Sequence, residues 1–559
     1  MSALAFHARA RAARMFGPAL ALAYLALLIR TEPAIGLSRD EGIYVDAAQR
    51  YGAWIELLFS EPGRALARAA TDSAFRANRE HPPLMKVLFA LGQLAHQKWG
   101  VFGSDSLSFR FGGMLCAALL IALIYEFASR LYGRSAGAFA ALAYALLPRP
   151  FYHAHLNAFD VPITFASSAV GYAYYRSLRE PRFAIVCGLA FGLALLTKHN
   201  AWFLPGIFAV HFAILSAVEL RSRKRTGRRS IGLVPWWLVA MLLLGPLLFV
   251  GGWPWLWHDT LERIRAYAAF HLHHEYYNIE YFGVNYFWPP FPSSYPWIMT
   301  LFTVPLTTLV TGVIGAVREF ADTLRSLRPL IGRPAADGGR HCALEHDPAL
   351  ATILLFGMLL APLVIISIPT TPIFGGTKHW FPAYPMLALF AGRAFQLLLD
   401  ALPAPGQLAR QAAPWVVGAW LLAPAAVETA HSHPFGLSHY TVAAGGVPGA
   451  AEKGMNRQFW GFTTRSLVPY LRRALPRGGD LYLCDTIYWS FEMLIRDDFL
   501  TPEFRPNGEI ARADLALVHH EKHFLEVDTQ IWTTYGTVQP VYVLTYDGVP
   551  IISVYRNPH

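Results

Sequence analysis

The stretch RFGGMLCAALLIALIYEFASRLYGR, residues 110–134, decides the fold. From 111 to 125 it carries no charge, while Arg110, Glu126, Arg130 and Arg134 bound it. A helix apolar around its whole circumference is either buried in a large core or set in a membrane. Ten further runs share this character, which points to the membrane. The eleven runs are 15–29, 111–125, 135–147, 161–175, 183–197, 201–218, 231–252, 297–317, 349–368, 379–392 and 412–427. Several are shorter than the ~20 residues a span needs. Flanking residues complete them, with Arg and Lys snorkelling to the interface.

Composition agrees. Only 15% of the 559 residues are charged, against ~25% in soluble proteins, and 54% are hydrophobic. Mean hydropathy is +0.32. An ordinary cytosolic enzyme, a disordered chain and a disulfide scaffold are excluded. The net charge of +10 would suggest nucleic acid, but the basic residues sit in short loops between apolar runs. There they set orientation. Arg9, Arg11 and Arg14 precede the first run, RSRKRTGRR fills 221–229, and Arg318, Arg325, Arg328, Arg333 and Arg340 follow the eighth. All three regions share one side, expected to be cytoplasmic. The N-terminus is then inside, the first run is a retained anchor rather than a cleaved signal, and the C-terminal part is outside. Cys116, Cys187, Cys342 and Cys484 are widely separated, and no disulfide is expected.

The expected fold class is an all-α polytopic membrane protein with about eleven transmembrane helices and a small C-terminal α/β extracytoplasmic domain. The membrane domain covers 1–427, with outer loops at 30–110, 149–160 and 253–296; the second domain covers 428–559. In the latter, short strand-like runs occur at 481–484, 515–518, 541–544 and 551–554, with a helix at 490–495.

The outer loops carry the polar chemistry. The first opens SRDEGIYVDAAQRYGAWIELL, with Tyr44, Ala47, Ala48, Tyr51, Trp54, Ile55 and Leu58 on one stripe of an amphipathic helix. Ser38 and Glu41 form a capping box, which accounts for Glu41 and leaves Asp40 unexplained. Further on, Arg79, Glu80, His81 and Lys86 cluster around Pro82-Pro83, a pattern suited to a phosphate or to an interfacial turn. In RPFYHAHLNAFDVP, Asp160 stands at the start of a run, where N-capping is the alternative use. Lys198 and Lys378 fall on the outer side, against the usual bias. His271, His274 and Glu275 share helical spacing that can hold a divalent metal. Tyr276, Tyr277, Tyr281 and Trp288 could line a sugar or lipid groove.

Taken in order, these segments resemble the GT-C membrane glycosyltransferases, and within them glycosyltransferase family 39: the protein O-mannosyltransferases and the lipid A aminoarabinose transferases. The resemblance rests on Asp40-Glu41, EHPPLMK (80–86), the 110–134 stretch, FDVP (159–162), GLAFGLALLTK (188–198) and KHWFPAYPMLALFAG (378–392). It implies transfer of a sugar from a polyprenyl-phosphate donor to a glycolipid, polysaccharide or protein on the outer face of a bacterial-type plasma (inner) membrane. It also implies a catalytic set of Asp40, Glu41 and Asp160, with Asp40 as the base. Arg79, Glu80, His81, Lys86, Arg110, Lys198 and Lys378 are then the donor-phosphate candidates, and a divalent metal could assist. A carboxylate base takes the acceptor's proton, and cations stabilise the departing phosphate. The competing readings are a lipid-linked-sugar transporter or a non-catalytic scaffold. Transporters tend to place ionisable groups at mid-depth, whereas the acids here lie in outer loops.

Overall fold

The computed structural model describes all residues except 1–2, 227–230, 332–346, 374 and 404–405. Arg228, Arg229, Arg333, Arg340 and Cys342 therefore lie outside the described residues. Cys116, Cys187 and Cys484 are free.

The apolar runs of the sequence lie mostly on helix: residues 146–147 and 231–235 fall outside it, 201–203 are 3₁₀, and two further runs are interrupted near prolines. The run at 297–317 divides into Tyr295–Thr303 and Leu306–Ile331. Val304, forced extended ahead of Pro305, separates them. The run at 379–392 begins as a 3₁₀ segment, Gly376–Ala383, and becomes α-helix only at Tyr384–Ala401. By length and composition, Met15–Ala34, Asp105–Tyr132, His199–Lys224 and Pro348–Ser367 can cross a bilayer. Phe183–Thr197 and Trp236–Gly251 are apolar but shorter. The protein is a multi-pass membrane protein; its apolar Leu22, Leu242, Leu243 and Leu247 point outward, as a lipid-facing surface requires. Small residues let helices touch: a Cβ at Gly188 would stand 2.6 Å from the Ala240 carbonyl oxygen.

The first loop forms the amphipathic helix Arg39–Ser60, with Tyr44, Ala47, Ala48, Tyr51 and Trp54 buried on its stripe. A hairpin, β1 (Ile279–Tyr281) and β2 (Val284–Tyr286), lies in the loop at 253–296. The tail forms a five-stranded mixed sheet. Its strands are β3 (Gly479–Leu483), β4 (Phe504–Pro506), β5 (Leu515–His519), β6 (Tyr542–Tyr546) and β7 (Val549–Arg556), in the order β4-β3-β5-β7-β6. β3 is parallel to β4 and β5, while β7 is antiparallel to β5 and β6. The period-2 alternation covers both faces. Leu515 and Leu517 pack with Leu481, Phe491 and Leu494, and Ala516 and Val518 pack with Ile531 and Tyr535. β4 escapes sequence reading because three residues ending in proline carry no strand pattern.

The tail is docked on the first loop. Gly42 faces the helix Tyr488–Arg496, where a Cβ would meet Ser490 Oγ at 2.5 Å, and Ser490 Oγ donates to the Ser38 carbonyl at 2.8 Å.

One buried ion network fixes the loops. Arg110 donates to both Glu41 carboxylate oxygens (2.9 and 3.0 Å), to Glu32 (2.8 Å), and to the carbonyls of Ile35 and Gly36. Glu41 also accepts from the backbone N–H of Ser38 (2.8 Å) and of Asn157 (3.1 Å). All three charged side chains are at most 3% exposed. Removing one partner strands the others in a dry site. Arg110→Met is expected to cost about 3–5 kcal/mol, read as a lowered thermal midpoint in detergent. Arg50→Met, which breaks the more exposed pair with Asp46 at 3.1 Å, is expected to cost no more than ~1 kcal/mol.

Candidate active site

Two cavities meet at one place. The first, about 270 Å³, has a largely apolar wall that includes Phe203, Leu204, Ile207, Met358, Pro362 and Ile365. The second, about 760 Å³, is the more polar of the two and lies among the first loop, the 253–296 loop and the tail. Asp40, Tyr44, His81, His274 and Trp460 line both.

Asp40 is the second residue of Arg39–Ser60, so the helix start aims it at this junction. Its Oδ2 stands 3.5 Å from Lys378 Nζ. Lys378 rides over the Trp460 ring, 3.9 Å from its centroid, a cation–π contact. Asp160 begins the helix Asp160–Ser177 and is 4% exposed. It accepts a hydrogen bond from Lys198 Nζ at 2.7 Å and lies 3.4 Å from His153 Nδ1. Each acid thus has a lysine from a distant segment. Burial pulls the Lys378 ammonium below the usual lysine range, although Asp40 and Asp160 hold it up. Burial likewise keeps His81 far below its usual range, with Lys198 and Lys86 adding to the effect. His81 is therefore a neutral ring packed on Phe159.

Trp460 comes from GMNRQFWGF in the tail. Its φ of 74° is a left-handed backbone that a bulky residue rarely adopts. Its carbonyl accepts the Arg39 N–H at 2.7 Å, which clamps the tail beside Asp40.

Asp40, Glu80, His81, Asp160, Lys198, His271, His274, Tyr277 and Lys378 line the two cavities. Other candidates stand elsewhere, and each has a physical reason. Glu41 and Arg110 are consumed by the buried network and line neither cavity; they serve the fold. Lys86 donates to the carbonyls of Asn78 (2.6 Å) and His81 (2.9 Å), bracing the turn before Pro82-Pro83. Arg79 lies over the Trp255 ring in a separate cleft. Tyr276 packs on Trp288 and Phe291, Tyr281 bonds Ser294 at 2.8 Å, and Trp288 is exposed. Tyr277 is thus the one residue of that aromatic set on a cavity wall.

The metal candidates are also otherwise engaged. His271 Nε2 donates to the Glu80 carbonyl at 2.9 Å, His274 Nδ1 is 2.7 Å from the Glu275 carbonyl, and Glu275 lines neither cavity. Among the described residues no group of three or more His, Cys, Asp or Glu is placed to hold a metal ion.

Sequence reasoning did not single out His153, Arg149, Trp460, Asp485 or Glu521. His153 and Arg149 stand in the quoted RPFYHAHLNAFDVP segment, and Trp460 in an aromatic run. Nothing local says which residues they meet.

Residues 80–249 match the family model described as dolichyl-phosphate-mannose-protein mannosyltransferase. The match contains four of the six motifs and excludes Asp40 and Lys378. No curated relative matches the sequence. Among solved structures, the chain is similar to apo ArnT from Cupriavidus metallidurans (17% identity, 97% of each chain, TM-score 0.46). It is also similar to that protein bound to undecaprenyl phosphate (17%, 97% of each chain, 0.44). A third is the apo Archaeoglobus fulgidus oligosaccharyltransferase (10%, 94% of this chain and 72% of that chain, 0.44). The chain resembles the GT-C membrane glycosyltransferases of family 39 type, as its motifs imply.

The tail adds acids to the polar cavity. Arg39 Nη1 donates to Asp485 at 2.9 Å, and Glu521 lies on the same wall. Burial pushes both carboxyls up against the pull of Arg39, with Asp40 adding to the rise of Asp485, and Asp485 and Glu280 to that of Glu521. A carboxyl raised on folding binds a proton that the unfolded chain has released. It therefore stabilises at low pH, and that stability is lost as pH rises through the raised range. Glu521→Gln removes the penalty of ionising in place. The variant's gain in thermal midpoint over wild type is expected to be larger at pH 8 than at pH 5; an equal gain at both would contradict the assignment.

Proposed function

We propose that the chain transfers a sugar from a polyprenyl-phosphate donor to a hydroxyl of a glycolipid, polysaccharide or protein acceptor. The reaction takes place on the outer face of a bacterial-type inner membrane, with the N-terminus cytoplasmic. The observation that carries this reading is the position of Asp40. It stands where an apolar cavity opens into a polar one, paired with Lys378 at 3.5 Å. The match of residues 80–249 to a family described by a dolichyl-phosphate sugar donor supports it.

The apolar cavity takes the prenyl chain and the polar cavity takes the acceptor. Asp40 accepts the acceptor's hydroxyl proton as the new bond forms at the anomeric carbon. The bond from that carbon to the phosphate oxygen breaks on the opposite face, so configuration inverts. The leaving phosphate is a weak base and needs no general acid. Lys378 and Lys198 balance its charge in a site sheltered from water. Asp160, held by Lys198 and 3.4 Å from His153, keeps Lys198 in place. The chain divides into a membrane domain, 1–427, and an outer domain, 428–559, that closes the acceptor side.

Asp40→Asn keeps size and hydrogen bonding but removes the base. Transfer by purified protein given polyprenyl-phosphate sugars is expected to fall ~10²–10⁴-fold, with donor binding unchanged. Turnover equal to wild type would overturn the role of Asp40.

A further inference from the structure

Arg149, Glu521 and His153 are buried ionisable groups without a full set of hydrogen-bond partners among the described residues. They differ in one respect. A carboxyl or an imidazole escapes the cost of burial by becoming neutral, and burial drives both that way. A guanidinium keeps its charge. Arg149 therefore keeps a buried charge with two unpaired donors among the described residues.

Arg149 is 2% exposed and belongs to the short helix Pro148–His153. It lines the polar cavity and not the apolar one. Its Nε and Nη2 have no hydrogen-bond partner, and no carboxylate pairs with it, among the described residues. These two nitrogens form one edge of the planar fork, two parallel donors that match two oxygens of one oxyanion. The Tyr440 ring lies under the guanidinium at 5.1 Å. Beside Nη1 is Gly376, at φ 65°, where a Cβ would come within 3.4 Å. The Tyr440 hydroxyl accepts a hydrogen bond from the Arg149 side chain. Two residues after Gly376 is Lys378, the partner of Asp40.

We propose that Arg149 anchors a phosphate group carried by the acceptor, held in the polar cavity away from the hydroxyl that reacts at Asp40. A phosphate fits: two of its oxygens meet the two-donor edge, and its remaining oxygens are left for other donors lining the cavity. The inference rests on the donor and acceptor assignment of the two cavities. The donor's own phosphate is the competing source.

The test uses the full chain purified in detergent, first saturated with undecaprenyl phosphate and then titrated with inorganic phosphate by calorimetry and thermal shift. Wild type is expected to bind inorganic phosphate in the lipid-loaded state. Arg149→Gln is expected to weaken that binding at least about tenfold, the scale of lost charge-assisted hydrogen bonds. Its affinity for undecaprenyl phosphate should stay close to wild type. The unliganded variant should melt no lower than wild type, because it loses an unpaired buried charge. If Arg149→Gln does not fold, Arg149→Lys, which keeps charge but not the fork, carries the same comparison. Unchanged phosphate binding in the variants, or none in wild type, overturns the site. Parallel loss of undecaprenyl phosphate binding overturns the acceptor assignment in favour of the donor. None of these readouts needs turnover. A wild type that binds inorganic phosphate but not undecaprenyl phosphate would defeat the proposed function and leave the Arg149 site standing.

Discussion

The five-donor guanidinium of Arg110, shared between Glu41 and Glu32, is the constraint on which the site depends. It joins the start of one apolar helix to the entry of the first loop, and through Glu41 it reaches the backbone of Asn157 in the second. Asp40 is the neighbour of Glu41, and Asp160 lies three residues after Asn157. One dry ion network therefore sets the positions of both acids without touching either. Such a network is costly to bury, but once complete it has few alternative geometries. That suits loops that must hold charged groups in fixed places over a membrane.

Around this anchor the charges alternate. Asp40 pairs with Lys378 and Asp160 with Lys198, so the junction of the cavities is close to neutral despite its many ionisable groups. Lys198 follows the apolar run 183–197, Lys378 precedes the run 379–392, Asp160 precedes the run 161–175, and Asp40 starts the amphipathic helix Arg39–Ser60. The first cavity joins an apolar wall to charged groups gathered near Asp40 and Asp160, and the second carries a larger polar share. An amphiphile with a long tail and a charged head would find its head at the junction. The arrangement separates what must dissolve in lipid from what must meet water.

The tail is part of the site. Trp460 holds a strained backbone and lies under Lys378, while Arg39, beside Asp40, bonds both the Trp460 carbonyl and Asp485. Strain at such a position persists because the surroundings over-determine it. The sheet itself is conventionally packed, with helices on both faces. Its contribution to the site comes from connecting segments, the usual carriers of binding residues on a rigid scaffold.

Much of the molecule was legible in the sequence. Long uncharged runs in lipid favour helices, because backbone groups must be satisfied internally; hence most of each run is helical, with departures at 146–147, 201–203, 231–235, Pro305 and the 3₁₀ turn at 376–383. Alternating short runs gave the sheet strands of the tail except Phe504–Pro506. Asp160, Lys198 and Lys378 stood out because they border apolar runs, and Asp40 because the capping box of Ser38 and Glu41 leaves it unused. Which of them would meet was not legible. The Asp40–Lys378 and Trp460–Lys378 contacts join residues far apart in the chain, and no local pattern encodes them. The same limit explains Glu41, Arg110 and Lys86. Their sequence contexts resemble those of site residues, and only packing shows that their donors and acceptors are spent on the fold. Local chemistry and hydrophobic pattern thus determined the elements and the candidate charges. The tertiary structure decided which charges face a cavity, because a side chain's role depends on the partners that packing leaves it.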